Sequence, residues 1–98
     1  MELSNGERAV ISILVQQMEG VDKNDARMVV AVGDTLNLND QQSFKLDEQD
    51  ITEEYDIGKV EKGWIKDKLN DAFQARKVPP FVAKHALTLS DKLENEDA

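Results

Sequence analysis

In the stretch KVEKGWIKDKLNDAFQARKVPPFVAKHALTLSDKL, residues 59–93, apolar side chains recur at helical spacing on both sides of Val78-Pro79-Pro80. Before the prolines, Ile65, Leu69, Ala72 and Phe73 form one stripe of a helix over about 59–77. Arg76 and Lys77 then place positive charge at its C-terminal end, where the helix dipole favours it. Val78 precedes a proline and is driven toward extended backbone. Pro79 or Pro80 fits the first turn of a following helix, which needs no amide donor there. In that helix, about 80–94, Val82, Ala86, Leu89 and Leu93 repeat every three or four residues, with Phe81 and His85 alongside. The expectation is two amphipathic helices folded back on each other. Val60 and Trp64 stand roughly 100° or more from the centre of the first stripe, on a flank of their own.

Toward the N-terminus, Ser4-Asn5-Gly6-Glu7 is a capping box, in which Ser4 and Glu7 satisfy each other's backbone amides. Ile11, Leu14, Val15 and Met18 follow at helical spacing, and Val10 and Ile13 widen the apolar face. A helix over about 4–19, buried on more than one side, is expected, with Gly20 as the left-handed residue that ends it. Asp22 or Asn24 can cap the next helix, about 24–36, with a stripe of Met28, Val29, Val32 and Leu36. Its smaller adjacent face, Ala26, Val30 and Gly33, suits close approach of another helix. The β-branched run Val29–Val32 could also be a strand, but the spacing favours the helix. Asn39 is expected to cap a single turn over 40–43, burying Phe44 and Leu46. Residues 46–58 hold six acidic side chains and no basic one. They read as an acidic connection anchored by Ile51, Tyr55 and Ile57, with a short helical turn at Thr52-Glu53-Glu54. The sum is an all-α fold: one small four-helix bundle-like domain, residues 1–98, with a C-terminal helical hairpin and an acidic connecting segment.

The composition narrows the chemistry. Ninety-eight residues make one domain with one modest core. With no cysteine, thiolate catalysis, disulfides and zinc-thiolate sites are excluded. The early apolar run 9–15 lacks a basic n-region and a small-residue cleavage site, and is far shorter than a membrane span. A cytoplasmic protein is expected. His85 is the single histidine, and Thr88 and Ser90 are not spaced as partners in a nucleophilic triad, so it reads as a structural or surface residue. The carboxylates at 47, 48, 50, 53, 54 and 56 lack the glycine and alternating ligands of a calcium loop. Gly33 and Gly58 stand outside any phosphate-binding cradle. The expectation is a protein with no catalytic residues, metal or cofactor.

Net charge is −8. It is unevenly spread: residues 1–58 carry 13 acidic and 4 basic side chains, residues 59–98 carry 7 and 8. Phosphate recognition needs a basic face, so direct nucleic-acid or anionic-membrane binding is disfavoured. A partner protein with a basic surface fits. The expected role is a small, acidic, non-enzymatic protein–protein interaction module, with an inhibitor of a basic or nucleic-acid-binding protein as its sharper form. Asp50, Glu53, Glu54, Tyr55, Asp56, Val60 and Trp64 are the candidate partner-binding residues, because carboxylates steer a basic partner while Tyr and Trp anchor interfaces. In size and charge the chain is similar to phage-encoded anti-defence proteins and nuclease-immunity proteins. It lacks the Tyr-Tyr pair of the colicin-nuclease immunity family, since Tyr55 is its single tyrosine. The alternative is a phage-type assembly accessory or chaperone that forms a homodimer through the Val60–Trp64 flank. A helix-turn-helix regulator ranks below both.

Overall fold

A computed structural model describes residues 1–38 and 52–96. The expected turn after Asn39, the burial of Phe44 and Leu46, the anchor Ile51 and the candidate residue Asp50 lie outside the described residues. Most of the described chain is helical: α1 (Asn5–Gln16), α2 (Lys23–Leu36), α3 (Lys59–Gln74) and α4 (Ala83–Glu96). A short 3₁₀ turn, Pro80–Val82, leads into α4. The all-α expectation needs one correction. Strands β1 (Glu2–Ser4) and β2 (Thr52–Glu54) form a two-stranded antiparallel sheet, with Leu3 opposite Glu53 and Glu2 opposite Glu54. Residues 52–54 are therefore extended, where a helical turn was expected. Leu3 is buried, which brings the β1 backbone against the core and makes pairing with β2 the outlet for its amides.

The element that touches most of the others is α1, which packs against β1, α2, α3, the 3₁₀ turn and α4. Its residues Gly6, Glu7, Arg8, Ala9, Val10 and Ile11 are all buried. Six consecutive buried positions span more than one helical turn, so this helix is enclosed on every side. Its start is the expected capping box: the Ser4 hydroxyl accepts from the Glu7 amide at 3.1 Å, and Glu7 Oε1 accepts from the Ser4 amide at 2.9 Å. Lys92 of α4 donates to the same Oε1 at 2.6 Å and to the Glu2 carbonyl at 3.1 Å, joining the two chain ends. Across this interface Gly6 lies against the imidazole of His85, where any β-carbon would overlap the ring. His85 thus packs against the start of α1.

Arg8, which no sequence motif marks, is 4% exposed. Its guanidinium donates to the Leu36 carbonyl from Nε at 2.9 Å and from Nη2 at 2.6 Å, and to the Asn37 carbonyl at 3.1 Å. The cation thus caps the C-terminal end of α2, where unpaired carbonyls and the negative end of the dipole converge. Asn37 there has φ 55, and the Leu38 amide returns to the Gly33 carbonyl at 3.0 Å, a left-handed stop of Schellman type.

The apolar core joins Leu3, Val10, Ile11 and Leu14 to Val32, Leu36 and Leu38, and these to Ile65, Leu69, Ala72, Val82, Ala86, Leu89 and Leu93. The predicted stripes of α3 and α4 face one another, and those helices pack together. Three helix ends differ from expectation. α1 stops at Gln16, and Gly20 has an ordinary negative φ, so it is not the left-handed cap; the Gln17 amide side chain instead donates to the Lys77 carbonyl at 2.8 Å. α3 stops at Gln74, leaving Arg76 and Lys77 outside its last turn. Arg76 itself takes φ 57, and Lys77 closes back on the Ala72 carbonyl at 2.8 Å. Finally, α4 begins at Ala83, after the 3₁₀ turn; within that turn Val82 is buried as its place in the stripe requires, and Phe81 is 72% exposed.

The ends of α2 and α3 can be tested by substitution. Replacing Arg8 with Met leaves the buried Leu36 carbonyl and the part-buried Asn37 carbonyl without their donor, and is expected to cost about 2–4 kcal/mol in chemical denaturation. Arg76→Gly removes the penalty of a β-carbon in the left-handed region and is expected to raise stability by about 0.5–1 kcal/mol.

Candidate functional site

The candidate residues divide between β2 with its exit and the first turns of α3. All three residues of β2 are exposed. Glu53 and Glu54 therefore present their carboxylates to solvent, and Asp56 beyond them is exposed too. Glu2 and Glu54 stand directly opposite across the strand pair, an arrangement in which like charges repel. The Met1 α-amino group offsets this by donating to Glu54 Oε1 at 2.7 Å and to the Tyr55 carbonyl at 2.8 Å. Tyr55 returns a backbone bond to the Met1 carbonyl at 2.9 Å, and Ile57 is buried just after it. An acidic ridge is thus fixed to the core by one backbone clasp and one apolar anchor.

Tyr55 is half-buried. The Arg8 guanidinium lies 5.4 Å from its ring centre, within cation–π range. Its hydroxyl points to Glu53 Oε2 at 3.3 Å, a long contact for an oxygen donor. Burial pushes the phenol pKa above its ordinary 10.0; the Arg8 charge opposes this, while the charge and hydrogen bond of Glu53 add to it.

Trp64 sits elsewhere. Its indole N–H donates to Asp25 Oδ1 at 2.9 Å. Asp25 Oδ2 is 3.6 Å from Lys68 Nζ, and that ammonium lies 5.8 Å from the indole centre. Trp64, Asp25 and Lys68 therefore clip the first turn of α2 to α3. Arg8 and Tyr55 hold the opposite end of α2. From Asp25 to Leu36 a helix rises roughly 16 Å at ~1.5 Å per residue. Tyr55 and Trp64 do not form one aromatic patch. Val60 is 67% exposed on α3 and is the apolar side chain that the Val60–Trp64 flank offers to solvent.

An open groove of about 400 Å³ lies where α1 ends, between Leu14, Met18, Ala72 and Ala75. Its rim charges Asp25 and Lys68 already serve each other and the indole. Among the described residues no cluster of three or more His, Cys, Asp or Glu is arranged to hold a metal ion. Nor is any described helix long and apolar enough to cross a membrane. Comparison with known proteins finds no matching protein family, no matching curated sequence and no matching solved structure.

The Arg8–Tyr55–Glu53 contact has no local motif to announce it. Arg8 directly precedes the apolar run Ala9–Ile11 in a helix whose inward face wraps all round, and that placement is the available signal. The contact has a measurable effect. A raised folded-state pKa favours the neutral phenol, so this contribution to stability is fully present below pH 10 and is lost as pH rises through the folded value. Tyrosinate absorbance from this single tyrosine is expected to titrate later than free tyrosine. Glu53→Gln is expected to move the midpoint down toward 10.0, because it removes the carboxylate charge that helps to raise it.

Proposed function

We propose that this chain is a non-enzymatic interaction module that docks a basic protein surface on its acidic ridge. One observation carries the proposal: β2 exposes every one of its residues, and it holds Glu54 in register with Glu2. Met1 engages one oxygen of Glu54, and the carboxylates of Glu2, Glu53 and Asp56 stay exposed, so a basic partner has negative charge to neutralise on binding. Glu53, Glu54 and Asp56 supply the charge. The exposed edge of Tyr55 supplies an aromatic contact backed by Arg8. Val60 supplies exposed apolar area at the start of α3, and Asp50 is the remaining candidate in the sequence. Trp64 acts mainly as a clip between α2 and α3. In its sharper form, the partner is a nucleic-acid-binding protein whose basic cleft the ridge occupies, which makes the module an inhibitor.

Self-association through the Val60–Trp64 flank has less support, because the indole is half-buried and its N–H is engaged by Asp25. The ridge is tested by capture from a lysate of the native host, followed by mass spectrometry at low and high salt. A basic partner retained at about 50 mM salt and released near 500 mM is expected, since screening at the higher strength removes most exposed charge attraction. The triple reversal Glu53→Lys, Glu54→Lys, Asp56→Lys is expected to abolish capture with an unchanged helical circular-dichroism spectrum. Undiminished capture by that variant would sink the proposal.

A further inference from the structure

Helix α2 buries only Val32 and Leu36. At 3.6 residues per turn, Lys23, Arg27, Val30 and Asp34 fall within roughly 60° of one another on the side opposite that pair. Val30 is 63% exposed, and with Ala26 and Ala31 it lines a shallow, almost wholly apolar depression rimmed by Lys23 and Arg27. Beside it, a β-carbon added at Gly33 would meet open space. The small face that the sequence marks for close helix approach is thus not met by another helix among the described residues.

We propose that this face is a two-fold self-association surface, occupied by α2 of a second copy running antiparallel. The charge pattern selects that occupant. With the axis between Val30 and Ala31, Arg27 of each copy faces Asp34 of the other, and Val30 of each copy packs on Ala31 of the other. Both ion pairs arise from one contact repeated by symmetry, as an isologous interface requires. Arg27 and Asp34 are exposed, and neither makes a side-chain ion pair among the described residues. A partner with a uniformly basic surface is repelled by Lys23 and Arg27, so this face is distinct from the acidic ridge. Small side chains allow helix axes to approach to about 8 Å. One helix face is less area than the ~800 Å² per partner of a standard interface, so the dimer is weak and reversible.

The test is sedimentation equilibrium of the full chain from about 20 µM to about 1 mM, a range matched to weak association. A monomer-to-dimer shift across it is expected. Arg27→Asp alone and Asp34→Arg alone should each weaken the dimer roughly tenfold, since each turns two attractions into two repulsions. The combined swap of both residues should restore it, and Val30→Lys should abolish it. These positions face solvent, so thermal melts at low concentration should match the parent and separate loss of association from loss of fold. A chain that stays monomeric throughout overturns the proposal, whatever else then covers the face. So does an association that the single reversals leave unchanged, or one that the combined swap fails to rescue. Capture of a basic partner on the acidic ridge is read separately, so either proposal can fail alone.

Discussion

The buried guanidinium of Arg8 ties together more distant parts of this molecule than any other single group described. A charge enclosed by apolar neighbours is tolerated only when its donors are satisfied. Here they are satisfied by the carbonyls that end α2 and by the face of Tyr55. Three separate parts of the chain must therefore arrive at one place. The next residue back, Glu7, is buried as well and is directed to Ser4 and Lys92. Successive residues on a helix point about 100° apart, so this acid–base neighbour pair faces different sides of the core. That is possible only for a helix enclosed all round, which is why α1, and not the pair α3 and α4, is the centre of the molecule.

Helix α2 is positioned by its ends. It is held at its start by Asp25 with Trp64 and Lys68, and at its finish by Arg8, with two buried residues between. Polar clips fix its position, and the apolar stripe contributes less than in α1 or α4. On the opposite face Val30 is exposed and the small residues Ala26, Ala31 and Gly33 are half-buried. The same division separates the aromatic candidates. Tyr55 belongs to the Arg8 end, where an acidic ridge meets solvent, and Trp64 belongs to the Asp25 end.

Much of this is legible in residue patterns, and the losses have specific causes. Helical periodicity locates α1 through α4, and the stripes Ile65–Leu69–Ala72 and Val82–Ala86–Leu89–Leu93 are buried as their spacing requires. The Ser4–Glu7 capping box forms because it is a local interaction between residues three apart. Strand β2 escapes a sequence reading because Thr-Glu-Glu has little strand preference of its own; a buried Leu3 some fifty positions earlier makes that segment extended. The ends of α1 and α3 are misplaced when Gly20 and Arg76 are judged by residue type. Long-range bonds such as Gln17 to Lys77 help decide where such helices stop.

For the candidate surface, residue types alone settle the charge, the exposure of Glu53, Glu54 and Asp56, and the absence of thiol chemistry, because composition and solvation need no knowledge of neighbours. Only the folded chain makes Trp64 a clip, rests Tyr55 on Arg8, and stands Glu2 opposite Glu54. Each of those depends on which distant segments the core brings together. Periodicity along one helix indicates which face is apolar, but not which neighbour comes to cover it. For α2, the sequence marks a small face for close approach, and no other helix among the described residues meets that face.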